Sequence, residues 1–142
     1  IAETRVLDLF CGSGGVGLEA LSRGADFCDF VDLDPSYTRR NIQKLGLFEY
    51  SRAFKMDVFK ALAKVKDEGQ LYDFIFVGAP YEYSKVDEVL VRIDELDLLA
   101  PEGFLMIEHR SNKDFPDDYG TFEKIKTYKY GQTLITRYLK KD

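Results

Sequence analysis

The chain has 142 residues, of which 45% are hydrophobic, and a formal net charge of −5. That length suits one domain, and the 11 Phe and 9 Tyr residues can fill a core without a disulfide or metal staple. The acidic balance argues against a nonspecific nucleic-acid binder. No apolar run approaches the length of a membrane helix, and the amino terminus lacks the layout of a signal peptide, so we expect no membrane association.

The two cysteines, Cys11 and Cys28, are expected to be free thiols, which fits a reducing cytoplasm. Neither shows metal-ligand spacing, so no metal site is predicted. The first residue is Ile1 rather than Met, and a strand pattern begins almost at once. We therefore expect one domain over residues 1–142, a monomer, with an upstream amino-terminal segment missing.

Charge is distributed unevenly along the chain. Residues 122–142 hold six Lys/Arg and two Asp/Glu, whereas the sequence as a whole is acidic. This basic stretch is a candidate for contacting a nucleic-acid backbone, and an ordinary solvated strand face is the alternative interpretation.

Short apolar runs alternate with helix-like stretches along most of the chain. The pattern predicts strands over 6–10, 27–31, 53–56, 72–77 and 104–108, and helices over 16–23, 34–45, 58–66 and 85–98. Asp34 and Asp57 are predicted to cap helices, and residues 101–103 to form a turn. Residues 122–130 and 133–139 read as a hairpin. The order predicts a doubly wound, Rossmann-like α/β fold with a seven-stranded, mostly parallel sheet that ends in an antiparallel hairpin and binds ligands at the carboxyl ends of its strands.

A glycine-rich turn follows the first predicted strand. Gly12, Gly14 and Gly17 match the dinucleotide fingerprint, and Asp32 lies 20 residues after Gly12, where a ribose-binding acid belongs. This pattern fits NAD, FAD and S-adenosylmethionine equally. Asp8, inside the first strand, favours S-adenosylmethionine because a carboxylate attracts the methionyl ammonium and repels a pyrophosphate.

Several acids have alternative interpretations. Asp8 could instead bridge a loop. Asp34 competes with Asp32 as ribose ligand but is already explained as a helix cap. Asp57 could cap its helix, hold the adenine amino group, or do both. The single histidine, His109, is expected to be structural rather than catalytic.

Four segments together resemble the bacterial 16S ribosomal RNA guanine-N2 methyltransferases of the RsmD type: residues 6–14 (VLDLFCGSG), 18–25 (LEALSRGA), 31–34 (VDLD) and 76–81 (FVGAPY). The resemblance spans nearly the whole chain and implies a methyltransferase that uses S-adenosylmethionine and acts on ribosomal RNA or the small ribosomal subunit. It implies that the methionyl end is held by Asp8, Phe10, Gly12, Ser13 and Gly14, the ribose and adenine face by Asp32 and Leu33, and the adenine edge by Asp57 and Val58. Family members also carry an amino-terminal segment ahead of the first strand.

The resemblance breaks at the catalytic segment, Gly78-Ala79-Pro80-Tyr81. Relatives that methylate amines carry Asp/Asn-Pro-Pro-Tyr, whose acceptors hold the protons of the amine. Tyr81 keeps a surface on which a base can stack, and backbone carbonyls remain, but the side-chain acceptor is gone. Glu82 or another acid could substitute, the enzyme could be slow, or the protein could bind without catalysing.

The leading hypothesis is transfer of a methyl group from S-adenosylmethionine to N2 of a guanine in small-subunit ribosomal RNA. Two alternatives stay open: methylation of a protein or small molecule on the same scaffold, and a module that binds cofactor or RNA without catalysis.

Overall fold

The computed structural model describes residues 4–110 and 112–142. It has seven strands, four α-helices and, at Phe48–Tyr50, one turn of 3₁₀ helix in these ranges. The elements follow in chain order: β1 (Arg5–Leu9), α1 (Gly15–Ser22), β2 (Phe27–Asp32), α2 (Ser36–Leu45), β3 (Ser51–Lys55), α3 (Val58–Asp67), β4 (Tyr72–Val77), α4 (Val86–Leu96), β5 (Leu99–Arg110), β6 (Phe122–Tyr130) and β7 (Thr133–Lys140).

One sheet contains all seven strands in the order β3-β2-β1-β4-β5-β7-β6. Strands β1 to β5 pair in parallel, and β7 pairs antiparallel with both β5 and β6. The predicted fold class is therefore confirmed. The strand order reverses between β1 and β4, and such a switch point leaves a crevice at the carboxyl ends of the two strands.

Local residue chemistry explains where the helices begin and end. The Asp57 carboxylate caps α3 by accepting hydrogen bonds from the amides of Phe59 and Lys60, as predicted. Asp34 is not the capping residue that the sequence predicted, because α2 begins at Ser36 with Pro35 at the cap position; the Asp34 carboxylate accepts from the Ser36 amide at 3.2 Å in the preceding turn. Gly46 follows α2 with a left-handed φ of 69° and ends it.

Several predicted boundaries differ from the structure by one or two residues, and those of β1 and β5 differ for a clear physical reason. Strand β1 ends at Leu9, because Phe10 turns away with φ +60°. Strand β5 begins at Leu99 rather than at residue 104. The predicted turn at 101–103 is present, with Glu102 at φ +66°, but it lies within β5 as a bulge. The register with β4 moves from Tyr72–Leu99 to Phe74–Phe104 across that bulge. The pairs Tyr72–Leu99 and Phe74–Phe104 on either side of the bulge keep the strand in the sheet. The turn residues alone did not indicate that the strand continues through them.

The sheet is buried on both faces by unequal layers. Helices α3 and α4 cover one face over a large apolar cluster that includes Leu7, Ile75, Leu105, Leu62 and Leu90. Helix α1 packs close to β2 on the other face, where a Cβ at Gly17 would lie 2.3 Å from the Phe30 ring. Only glycine permits that approach, so the third glycine of the loop motif serves packing. Both cysteines are free, as predicted, and both are buried.

A buried polar network lies at the amino ends of the strands, away from the crevice. Asp29 is fully buried and accepts hydrogen bonds from Arg5, from Arg52 at 2.8 Å and from the Tyr72 hydroxyl at 2.6 Å. Burial and the neighbouring carboxylate raise the pKa of Tyr72, so its hydroxyl stays a donor. The network ties the starts of β1, β2, β3 and β4 together.

Candidate active site

A cavity of about 580 Å³ opens at the switch point of the sheet. It is the size of an ordinary small-molecule site. Every predicted site residue except Asp8, Ser13 and Gly14 lines it: Phe10, Gly12, Asp32, Leu33, Asp57, Val58, Gly78, Ala79, Pro80 and Tyr81. The fold thus brings together residues that follow β1, β2, β3 and β4.

Asp32 ends β2 with its carboxylate held by two backbone amides. Gly12 donates to Oδ2 at 2.9 Å, and Asp34 donates to Oδ1 at 3.1 Å. Each carboxylate oxygen has a second acceptor site, so Asp32 can still accept hydrogen bonds from two vicinal hydroxyls. Leu33, 69% exposed, extends beside it as an uncovered apolar surface.

Asp57 is placed so that it can both cap α3 and accept a hydrogen bond from a ligand in the cavity. Its Oδ2 accepts from the amides of α3, at 2.9 Å from Phe59 N and 3.4 Å from Lys60 N, and the residue also lines the cavity. The cap orients the carboxylate and leaves Oδ1 available as an acceptor.

Asp8 lies behind the glycine loop rather than on the cavity wall. Only 1% of the residue is exposed, and its Oδ2 accepts a hydrogen bond from the Gly17 amide at 3.0 Å. Burial, opposed by that hydrogen bond and aided by Asp32, raises the pKa of Asp8 to about 7. Asp8 therefore anchors the start of α1, in line with the alternative interpretation that it bridges a loop. Its carboxylate can change charge near neutral pH.

Helix α2 holds the glycine loop from the side. The Thr38 hydroxyl donates to the Gly12 carbonyl at 2.8 Å, and the Asn41 amide donates to the Ser13 carbonyl at 2.9 Å. Gly14 has φ +85° and packs against Thr38. Ser13 and Gly14 shape the loop without lining the cavity.

The segment after β4 forms the opposite wall of the cavity. The Gly78 amide donates to the Leu9 carbonyl at 3.3 Å, which continues the contact between β4 and β1. The φ of Gly78 is not left-handed, but a Cβ built on it would lie 2.7 Å from Cε2 of Phe76. The Phe76 ring therefore takes the space of the missing side chain.

Tyr81 is 45% exposed and stands between two cavities. Its hydroxyl hydrogen-bonds Thr133 Oγ1 at 2.9 Å, and the Arg110 guanidinium lies 4.6 Å from the centre of its ring. The second cavity, about 470 Å³, continues from Tyr81 past Tyr83 to His109 and Lys113. With Arg110 over one face of the ring, the other face can carry a planar ligand.

Four further residues line the first cavity: Val31, Met56, Tyr83 and Glu108. Val31 and Met56 adjoin predicted residues at strand ends, and Tyr83 packs edge-on against Phe10 at 4.9 Å. Glu108 lies near the end of β5 and lines both cavities. Its position after an apolar run could have indicated it, whereas the acid considered from sequence, Glu82, lines only the second cavity.

His109 is buried and satisfied, in keeping with its structural interpretation. Nε2 hydrogen-bonds Thr136 at 2.7 Å and Nδ1 contacts the Arg110 carbonyl at 3.0 Å. Burial lowers the pKa of His109, so the ring is neutral at pH 7. Its nitrogens are both engaged within the protein.

Three of the six basic residues in 122–142 form ion pairs with acids from neighbouring loops. Lys124 pairs with Asp114 and Asp117, and Lys140 and Lys141 pair with Asp97 and Asp118. A different basic surface lies between α2 and β3. It is a groove of about 630 Å³ lined by Arg39, Arg40, Phe48 and Lys55 among others.

Within residues 4–110 and 112–142, no group of three or more His, Cys, Asp or Glu side chains is arranged to hold a metal ion. In the same ranges, no helix has the length and apolar composition needed to cross a membrane.

The seven-stranded order, the terminal hairpin and the crevice beside β1 and β4 together form a Rossmann-like methyltransferase fold. A solved structure of a conserved hypothetical protein from Streptococcus pyogenes superimposes with a TM-score of 0.88, at 25% identity over 96% of this chain and 86% of that chain. NodS, an N-methyltransferase from Bradyrhizobium japonicum solved with S-adenosylhomocysteine, shares the fold with a TM-score of 0.68 at 14% identity over 98% and 79% of the two chains.

The chain belongs to the family described as Conserved hypothetical protein 95, whose profile matches residues 1–139. It is 34% identical over 140 residues to YlbH of Bacillus subtilis, named as a candidate rRNA methyltransferase, covering 96% of this chain and 76% of that one. It is 26% identical over 116 residues to ribosomal RNA small subunit methyltransferase D of Escherichia coli. That match covers 82% of this chain and 58% of the relative, so the chain spans less than two thirds of the Escherichia coli protein.

Proposed function

We propose that this protein transfers a methyl group from S-adenosylmethionine to the exocyclic N2 of a guanine in small-subunit ribosomal RNA. The observation that carries the proposal is the cavity at the switch point, where Asp32 and Asp57 face the segment 78–81. Acceptors for a nucleoside lie on one side of this cavity and a base-stacking ring on the other.

The cofactor half of the cavity fits an adenosine group. The Asp32 carboxylate, oriented by Gly12 and Asp34, can accept from both ribose hydroxyls. The free Oδ1 of Asp57 can accept from an adenine amino group, and the side chain of Leu33 can cover one face of the base. S-adenosylmethionine bound here supplies a methyl group on a sulfonium, which is an activated donor.

The methionyl end is proposed to lie along the glycine loop. Asp8 is behind this loop and its pKa is near 7, so an ammonium placed close to the loop would stabilise the ionised carboxylate. Phe10 and Gly12 line this end of the cavity. A nucleotide pyrophosphate in the same place would meet Asp8 and Asp32 as like charges.

The substrate half is proposed to hold an unstacked base on Tyr81. Arg110 covers the ring from one direction and Thr133 fixes its hydroxyl, so the ring is pre-organised before a base arrives. Stacking of a base on an aromatic side chain is worth about 1 to 3 kcal/mol. Because the donor is already activated, holding the amine in line with the methyl group is the main task left to the protein.

The names of the relatives support ribosomal RNA as the substrate class. Methylation of a protein or small molecule on the same scaffold, and binding without catalysis, remain the rival functions, and one experiment separates the three. Purified protein, in excess over the RNA so that only a single turnover occurs, would be incubated with labelled S-adenosylmethionine and either small-subunit particles or deproteinised 16S RNA. We expect label in guanine N2 of the RNA. Label in ribosomal protein, or cofactor binding with no transfer, would contradict the proposal.

Two variants sharpen that experiment. Tyr81→Ala removes the stacking surface and is expected to lower transfer at least tenfold, whereas Tyr81→Phe keeps the ring and loses only the Thr133 hydrogen bond. Asp32→Ala is expected to weaken cofactor binding by a few kcal/mol at most, because each hydrogen bond to a charged acceptor is worth about 1.5 to 3 kcal/mol and the two contributions partly overlap. Calorimetry should also find S-adenosylhomocysteine bound more tightly than NAD.

A further inference from the structure

Glu108 directly follows the last residue of β5 that pairs with β4, just as Gly78 directly follows the last residue of β4. In the parallel pair of β4 and β5, Phe76 pairs with Met106 and Val77 pairs with Ile107. Gly78 follows the last residue of β4, and extending the same register by one residue would set it beside Glu108, at the spacing of about 4.8 Å between neighbouring strands. Residues in register on parallel strands point to the same face, so the Glu108 side chain leaves the sheet on the side where a side chain at position 78 would emerge.

Position 78 cannot supply an acceptor side chain in this structure. A Cβ there would lie 2.7 Å from Cε2 and 3.5 Å from Cδ2 of Phe76. The ring is also part of an aromatic row, with Phe74 6.4 Å away and Phe104 stacked on Phe74 at 4.7 Å. Since residue 78 has no side chain, any acceptor side chain for the substrate has to come from another part of the site.

Glu108 is free to take that role. It is exposed, it lines both the cofactor cavity and the cavity beyond Tyr81, and no described residue forms a hydrogen bond or ion pair with its carboxylate. The other acid near the segment, Glu82, lines the second cavity alone. Of these two acids, Glu108 is the one that reaches the boundary at which an amine would meet the methyl donor.

We infer that Glu108 is the catalytic acceptor for the exocyclic amino group of the substrate base, in place of a side chain at position 78. This inference rests on the proposed function. The carboxylate accepts a hydrogen bond from the amine and turns its lone pair toward the methyl carbon. That lone pair forms the new N–C bond while the C–S bond breaks with its electrons going to sulfur, and the proton shed by nitrogen passes to the carboxylate and then to water.

The first test is a single-turnover comparison of variants with the parent on small-subunit particles. Loss of one positioned polar group typically lowers a rate by about 10² to 10³, and we expect that loss for Glu108→Ala with the affinity for S-adenosylhomocysteine unchanged. Glu108→Gln keeps a neutral acceptor and should fall between Glu108→Ala and the parent. Glu123→Ala, an exposed acid on β6, is the matched control and should transfer at the parental rate. If Glu82→Ala loses transfer while Glu108→Ala retains it, the inference is wrong.

The second test does not depend on transfer. With S-adenosylhomocysteine bound, the parent should bind guanosine monophosphate several-fold more tightly than inosine monophosphate, which differs only in lacking the 2-amino group. Glu108→Ala should bind the two nucleotides equally. A parent without preference, or a Glu108→Ala variant that keeps it, would overturn the assignment. Failure of the parent protein to methylate any RNA would contradict the proposed function. The comparison of guanosine and inosine monophosphate binding would still test the role of Glu108.

Discussion

The Phe76 ring fills the space that any side chain at Gly78 would need, with 2.7 Å between Cε2 and a Cβ built on residue 78. The two residues lie two positions apart along β4 and its extension and face the same side of the sheet. The backbone of Gly78 is not in the left-handed region, so glycine is required here by side-chain packing and not by a positive φ. A side chain at 78 and a phenylalanine at 76 exclude each other in the present arrangement.

This exclusion predicts a coupled pair of mutations. Gly78→Ala should destabilise the protein by about 1 to 3 kcal/mol, as overpacking does, because the Phe76 ring must move. In a Phe76→Ala background, the same change should cost almost nothing. A double-mutant cycle by urea unfolding measures the coupling, and additive effects would show that the ring moves freely.

Asp8 predicts a pH-dependent stability. Its pKa is raised in the folded state to about 7, so the folded protein keeps a proton that the unfolded chain releases near pH 4. The stability from this group is therefore present at low pH and is lost as pH rises from about 4 to 7, by up to about 4 kcal/mol. Chemical unfolding at pH 5 and pH 8 should show a larger fall for the parent than for Asp8→Asn, and parallel curves would contradict the prediction.

The same carboxyl predicts linkage between cofactor binding and proton release. If the methionyl ammonium stabilises ionised Asp8, affinity should rise with pH up to about 7, by at most about tenfold per pH unit. Calorimetry in two buffers of different ionisation enthalpy at pH 6 should detect the released proton, and Asp8→Asn should abolish it. Equal proton release in parent and variant would leave Asp8 as an anchor for Gly17 alone.

The Asp29 network predicts a purely structural defect. Asp29→Ala leaves Arg5, Arg52 and Tyr72 without their shared buried acceptor and should cost about 3 to 5 kcal/mol of unfolding free energy. Glu68→Ala removes the more exposed partner of the same Arg52 and should cost less than about 1 kcal/mol. Cofactor affinity of folded Asp29→Ala should be unchanged, since the network lies at the opposite ends of the strands.

The two basic surfaces predict different effects on RNA binding. Reversing two groove charges, with Arg40→Glu and Lys55→Glu, should weaken RNA binding and lower the salt slope by about one for each phosphate that is no longer neutralised. Reversing Lys126 and Lys129 on the hairpin is the matched control and should have a smaller effect. Filter binding across a salt series measures both, and a larger loss of affinity from the hairpin pair would place the RNA along β6.

The local signals in the sequence were sufficient for most of the fold. Periodicity and caps located the helices, because Asp57 and Gly46 act within one turn of their own backbone. Alternating strands and helices implied a parallel sheet, and right-handed crossovers then place residues 10, 32, 57 and 78 at one edge. Gathering these residues into one cavity needed no information beyond the order of elements.

Relations between residues that are distant in sequence, or that compete for one volume, emerged only from the three-dimensional arrangement. Asp8 is buried beneath the start of α1, where the Gly17 amide donates to it. Lys124, Lys140 and Lys141 are paired with acids in loops whose position the sequence does not state. The bulge before Phe104 depends on its pairing partner in β4. The register of β4 with β5 identified Glu108 as a candidate acceptor for the substrate amine. The packing of the Phe76 ring explains why residue 78 is a glycine. Register and packing are set by the free energy of the whole core, which no short window of residues contains.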